Sequence, residues 1–273
     1  MAIFQIDSNN GLYYEYAPPT REGALTFVFV NALTGNTTAW EAVVAPLLRK
    51  EGFGTFSYNF RGQDKSPFGE DVALTPDLIV RDLKQLVEGV EPSRPILVGL
   101  SIGGLFAAHA ILGGMDCEGL VLLNTLREIG PRIAWVNDAM PEIVNVGGVA
   151  LFLDALFPLL VNPDFAEKVR QDFIKGTYQP LEPNHGHANL MRHASKADWD
   201  IDYEKLSLPI HVITGLHDRV FLDVDVVQKL FAQLPNAAYE EWDDAGHLLP
   251  QERPEKLAHS LSAFGHKIEV RAE

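Results

Sequence analysis

A chain of 273 residues, 47% of them hydrophobic and 22% charged, is long enough for one large α/β domain with an insertion, and its composition excludes a disordered or low-complexity polymer. A net charge of −15 leaves no basic stripe to neutralise phosphates, which argues against a nucleic-acid partner and for a neutral or modestly charged small molecule. Cys117 is the only cysteine, so an internal disulfide and a thiolate metal cluster are both excluded, and a place in the core is expected for it. The start of the chain, Met1 to Asp7, lacks the basic and apolar regions of a signal peptide, so a cytoplasmic protein is expected. The longest apolar run, Val149 to Val161, is broken by Asp154 and Pro158 and falls short of the ~20 residues of a membrane span.

An N-terminal hairpin opens the chain, with a strand over Leu12 to Tyr16, followed by a strand over Thr26 to Asn31 and a helix over Ala39 to Arg49. A strand over Gly54 to Phe60 leads to Thr75-Pro76-Asp77, an N-cap and first-turn proline for a helix running to about Val87. Pro95 to Leu100 reads as a buried strand, and Leu105, Phe106, Ala108, Ile111 and Leu112 then repeat as one helix face. Gly119 to Asn124 is the next strand. From there to Pro209 the alternation stops, with helical patterns over Ala150 to Leu160, Phe165 to Lys175 and Asn189 to Lys196 and no convincing strand. Strands over Pro209 to Gly215 and Ala237 to Trp242 and helices over Val224 to Leu234 and Pro254 to Phe264 complete the chain. Such alternation predicts an α/β fold, a mainly parallel sheet with helices on both faces. The predicted core is 1–125 with 209–273, and 126–208 is a helical cap inserted before the penultimate strand and lying over the strand carboxyl ends. Some side chains of Ala150 to Leu153 and Leu156-Phe157 are expected to line the pocket beneath it while others pack inside the cap.

Gly99-Leu100-Ser101-Ile102-Gly103 is a Gly-x-Ser-x-Gly pattern with a strand before it and a helix after it, which makes Ser101 a candidate nucleophile at a sharp strand-to-helix turn. The flanking glycines leave room for the helix to approach the strand. A serine needs a base and an acid that orients the base. His247, in the loop after the last strand, is the candidate base, and Asp218, just past the preceding strand, is the candidate acid. Asp243 and Asp244 compete for that role but are too near His247 in sequence to reach its Nδ1 easily. His217 points away from Asp218 along an extended chain, His109 reads as a satisfied core or surface histidine in the helix after Ser101, and His185, His187 and His193 read as a polar cap loop; no metal site is expected. The glycine spacing is not that of a dinucleotide fold, so no cofactor is expected.

The order Ser101, Asp218, His247 and the elbow itself resemble the α/β-hydrolase superfamily, and the likeness extends over nearly the whole chain. It includes Arg61-Gly62-Gln63-Asp64-Lys65-Ser66, similar to that superfamily's Arg-Gly-x-Gly-x-Ser turn with Asp64 in place of a glycine. Some members carry the acid after the strand before the cap; this chain has Asn124 there, which leaves Asp218. The resemblance implies an oxyanion hole made by the amides of Ile102 and of Leu33, in the loop that starts Asn31-Ala32, with Asn31 tying that loop down.

Asn31-Ala32-Leu33, Leu122-Leu123-Asn124-Thr125, Ile129-Gly130 and Trp135 further resemble the 3-oxoadipate enol-lactonase branch. That likeness implies a small ester or lactone substrate bearing a carboxylate, although Leu126-Arg127-Glu128 stands where enol-lactonases commonly have a lysine. Arg127, Arg132 and Arg192 are candidates to clamp that carboxylate if they are not solvated surface charges, and Asn31 and Trp135 complete the substrate-binding set. The activity expected is hydrolysis through an acyl-enzyme. Cleavage of a carbon–carbon bond on the same residues, and a ligand sensor that keeps the triad, are the alternatives.

Overall fold

Alternate residues of a strand face opposite sides of a sheet, and the apolar runs of this chain are long enough to fill both. The computed structural model describes residues 2–173, 177–182 and 184–272. Its strands are β1 (Ala2–Gln5), β2 (Gly11–Ala17), β3 (Thr26–Val30), β4 (Gly54–Tyr58), β5 (Pro95–Leu100), β6 (Gly119–Leu123), β7 (Ile210–Gly215) and β8 (Ala237–Trp242). They form one sheet in the order β1-β2-β4-β3-β5-β6-β7-β8. β2 pairs antiparallel with β1 and β4, and β3 to β8 are parallel. Leu97, Leu120 and Val212 pack into the core on one face, while Ile96, Val98, Val121 and Ile213 pack into the core on the other.

From β3 the chain moves outward to β4 and then crosses back to β5 on β3's other side. In an open parallel sheet this reversal leaves a crevice at the strand carboxyl ends, between the loops that follow β3 and β5. Those loops begin with Asn31 and Ser101.

The helices are α1 (Thr38–Glu41), α2 (Val44–Lys50), α3 (Pro76–Val90), α4 (Ile102–Leu112), α5 (Pro131–Leu160), α6 (Pro163–Val169), α7 (Gly186–His193), α8 (Val224–Phe231), α9 (Leu249–Glu252) and α10 (Pro254–Ala272). Thr75 caps α3 as expected, its hydroxyl accepting from the Leu78 amide at 3.3 Å. The expected helix over Ala39 to Arg49 is two helices, because Val43 leaves helical backbone (φ −143°). Phe165 to Lys175 is α6 followed by a short 3₁₀ turn, and positions 174–176 lie outside the described residues. Cys117 is half-buried, not central in the core, and burial pushes its thiol up to about 12.

Between β6 and β7 the described residues form helices and connecting loops and contain no strand. α5 begins nineteen residues before the helix expected at Ala150, and by length and composition it could cross a membrane. Gly148 (φ 70°, ψ −174°) interrupts it, and Met140, Val144, Phe152 and Phe157 are buried against the rest of the protein. Its apolar residues lie on all sides, so no single face announced its length.

Arg61 and Asp82 tie the turn after β4 to α3 through a buried bidentate pair, Nε to Oδ2 at 2.7 Å and Nη2 to Oδ1 at 2.6 Å. Asp82→Ala is expected to lower stability by about 3–5 kcal/mol, since it leaves a buried guanidinium unpaired, and a thermal melt reads the loss.

Candidate active site

The β5–α4 turn places Ser101 at φ 56°, ψ −123°, a conformation that a side chain adopts only when its surroundings enforce it. A Cβ on Gly99 would lie 2.3 Å from the Gly104 Cα, and one on Gly103 would lie 2.3 Å from the Val30 carbonyl oxygen. Both glycines are therefore needed where the sequence has them. The turn is held by the Ser101 amide, which donates to Leu123 O at 2.7 Å, and by the Thr125 hydroxyl, which donates to Ser101 O at 2.9 Å.

His247 and Asp218 come from the loops after β8 and β7. Their side chains are buried, with His247 Nδ1 2.6 Å from Asp218 Oδ2. The other oxygen of Asp218 accepts from the amides of Val220 (3.0 Å) and Phe221 (2.9 Å), which fixes the carboxylate on both sides. Burial pushes the Asp218 carboxyl up, but His247, the Phe221 amide and Arg127 outweigh it and hold it below the usual range. Asp244 instead pairs with Arg253 and Lys256, and the Asp243 carbonyl meets His217 Nε2 at 2.9 Å. Neither of these aspartates is the partner of His247.

Ser101 and His247 line one cavity of about 360 Å³, walled largely by apolar side chains. Phe152, Leu153 and Phe157, from the stretch expected there, form part of the wall, whereas Ala150 is exposed. Leu33 and Ile102 also line it, and among the described residues neither amide donates to a protein acceptor. Asn31 is buried and ties its loop down: Nδ2 donates to Tyr58 O at 2.7 Å, and Oδ1 accepts from Trp40 Nε1 at 2.7 Å. Gln63 adds a brace that the sequence did not single out, its amide donating to the carbonyls of Ala32 (2.8 Å) and Leu33 (3.0 Å). Asp64 keeps a left-handed backbone (φ 36°) in the position where the related turn has glycine.

Three expected substrate-binding residues are elsewhere. Trp135 is 79% exposed, Arg192 is exposed, and Arg132 donates to the Leu222 carbonyl at the surface; none of them lines the cavity. Arg127 does line it. Its Nη2 donates to Ser101 Oγ at 2.9 Å and to Asn124 O at 2.7 Å, and its guanidinium lies over the rings of Trp199 (4.5 Å) and Phe221 (4.6 Å). Burial pushes it down to about 10, so it remains a cation at neutral pH. Among the described residues it has no carboxylate at ion-pair distance.

Asn124, considered only as a place where an acid could have stood, has a different task. At φ 49° its Nδ2 donates to the carbonyls of Gly246 and His247, both at 3.0 Å, and its Oδ1 accepts from Gly215 N at 2.8 Å. It thereby joins the ends of β6 and β7 to the histidine loop. No group of three potential ligands that could hold a metal occurs among the described residues.

A family model described as "Alpha/beta hydrolase family" matches residues 27–260. The chain is 25% identical over 274 residues to the uncharacterized hydrolase YugF of Bacillus subtilis, covering 96% of each chain. It is 26% identical over 251 residues to 3-oxoadipate enol-lactonase 1 of Acinetobacter baylyi, covering 91% of each. The solved structure of a thermophilic esterase from Thermogutta terrifontis superposes with a TM-score of 0.77 at 22% identity, covering 97% of both chains.

Proposed function

The chain belongs to the alpha/beta hydrolase family and has its fold, and from that premise we propose that it hydrolyses the ester or lactone bond of a small carboxylate-bearing substrate through an acyl-enzyme on Ser101. The observation that carries this reading is the buried 2.6 Å contact between His247 Nδ1 and Asp218, behind the cavity that His247 and Ser101 both line. Asp218 sets the tautomer in which Nδ1 holds a proton and Nε2 is free to accept one. His247 takes the hydroxyl proton as Ser101 Oγ bonds to the carbonyl carbon, and the resulting oxyanion is met by the amides of Leu33 and Ile102. Collapse expels the alcohol oxygen, which receives that proton from His247, and leaves an ester on Ser101. Water then attacks with His247 as base, releasing the acid and restoring the serine. In a lactone both products remain one molecule. A fluorophosphonate should therefore inactivate the enzyme with one adduct, mapped to Ser101; inactivation with the adduct elsewhere would defeat the assignment.

The cap is assigned to 126–208, whose apolar side chains roof the cavity. Arg127 supplies the specificity. A buried cation is costly unless an anion meets it, and here the aromatic faces of Trp199 and Phe221 orient the guanidinium without neutralising it. A substrate carboxylate would complete the pair with bidentate geometry. The enol-lactonase relative supports the lactone form of the reading by its name. For matched half-ester and neutral ester substrates, Arg127→Met is expected to lower the ratio of their kcat/KM values roughly 10²-fold, the loss typical of a truncated buried charge pair. A ratio unchanged by the substitution would reject the carboxylate and leave a plain esterase.

A further inference from the structure

Glu252, at the end of α9, carries a buried carboxylate that the catalytic steps above do not use. Its Oε2 accepts from Gly246 N at 2.9 Å and from Asn162 N and Nδ2 at 2.7 and 2.8 Å; its Oε1 accepts from Leu248 N at 2.9 Å. Among the described residues no cation pairs with it. Its negative charge is carried instead by four N–H donors, the kind of charge-assisted bonding that makes a buried carboxylate tolerable.

Two of those donors are the backbone amides on either side of His247. The amide of His247 itself donates to Leu160 O at 2.6 Å, and Asn124 holds the carbonyls of Gly246 and His247 from the opposite side. The base therefore sits on backbone that Glu252, Leu160 and Asn124 hold from several directions. The other two donors belong to Asn162, the N-cap of α6, whose Oδ1 accepts from Phe165 N at 3.0 Å. Phe165 and Val169 of α6 wall the cavity. One carboxylate thus binds both the loop that aims the base and the helix that shapes the substrate space.

We propose that Glu252 is a positioning residue that sets the aim of His247 and couples it to the seating of α6. The inference rests on the assignment of His247 as the base. All four contacts are donors, so an acceptor-only group is required. A glutamine of the same shape would turn an NH₂ group against N–H groups, and an aspartate would fall one methylene short of spanning them.

The test compares Glu252→Gln, Glu252→Asp, Asn162→Ala and the double variant Glu252→Gln/Asn162→Ala on a neutral activated ester. Circular dichroism establishes folding, and the low-field proton resonance of the imidazole N–H bonded to Asp218 reports the base directly. Glu252→Gln is expected to lower kcat roughly 10²-fold, the effect of a small misplacement of a catalytic group, with KM altered within about threefold, and to shift or broaden that resonance. Asn162→Ala should cause a smaller loss of the same kind, and the double variant should be no worse than Glu252→Gln alone, because both act through one contact. Glu252→Asp should not rescue.

A folded Glu252→Gln protein with wild-type kcat and an unshifted resonance overturns the proposal. So does a loss confined to KM, or full rescue by aspartate. Should Glu252→Gln fail to fold, Asn162→Ala decides: a lowered kcat with an altered resonance supports the coupling, and an unchanged kcat overturns it. Ser101→Ala in the same series separates the two levels. If it keeps its turnover, the acyl-enzyme reading on Ser101 fails; if it is inactive while Glu252→Gln behaves as wild type, only the role of Glu252 falls.

Discussion

Ser101→Ala is expected to lower kcat/KM for an activated ester by at least about 10³-fold while the protein stays folded. Without the hydroxyl no acyl-enzyme forms, and only binding and the proposed oxyanion donors Leu33 and Ile102 remain to assist direct attack by water. The substitution removes one buried oxygen and its contact with Arg127, leaving the turn held by the Ser101 backbone bonds to Leu123 and Thr125. A thermal melt close to wild type should accompany the loss. Burst kinetics supply the second readout: wild type should release one equivalent of alcohol faster than steady state if deacylation limits, and the alanine variant should show no burst. Near-normal turnover by the variant would remove Ser101 from the chemistry altogether.

Asp218→Asn is expected to be severely damaging as well, about 10⁴-fold in kcat, because an amide facing His247 Nδ1 permits the wrong tautomer and cannot stabilise the imidazolium. Its geometry makes the control informative. Asp243→Asn and Asp244→Asn should each keep most of the activity, since Asp244 is engaged with Arg253 and Lys256 and the Asp243 carbonyl serves His217. Steady-state rates of the three variants, measured side by side, identify the acid. An Asp218→Asn variant milder than either of the others would place the orienting carboxylate in the histidine loop. Stability should show the same carboxylate: the folded carboxyl of Asp218 lies below its ordinary value, so the stability its ionised form contributes is fully present above the unfolded carboxylate range and is lost progressively as pH falls from that range through the depressed value, which acid melts of wild type and Asp218→Asn compare.

Local pattern was sufficient wherever the physics is local. The strand before Ser101, the helix after it and the small residues at Gly99 and Gly103 are consequences of nearest neighbours, and all are present. Predicted strand ends ran past the ladder at Asn31 and Asn124, because an asparagine that closes an apolar run looks like one more strand residue until its side chain finds partners elsewhere, and at Phe60, two residues beyond the end of β4. Asn31 reaches Tyr58 and Trp40, and Asn124 reaches the end of β7 and the histidine loop, both more than ninety residues away. The arginines show the opposite failure. Arg127, Arg132 and Arg192 are chemically equivalent in a list of residues, and only the direction each side chain takes from its backbone separates the one beside Ser101 from the two at the surface.

By itself the sequence determined the alternation that builds a parallel sheet and the chain order of the candidate serine, acid and histidine, since each is written in hydrophobic period, turn chemistry and chain order; where the strand order reverses, between β3 and β5, was set by the tertiary structure. The tertiary structure alone decided which charges are buried. Arg127 and Glu252 are both exceptions to the rule that charges stay in water, and a sequence carries no signal for such an exception, because the groups that compensate it come from other elements. For Arg127 these are the rings of Trp199 and Phe221; for Glu252 they are the amides of Asn162, Gly246 and Leu248. Burial and pairing are properties of the packed molecule, set by contacts between residues far apart in the chain.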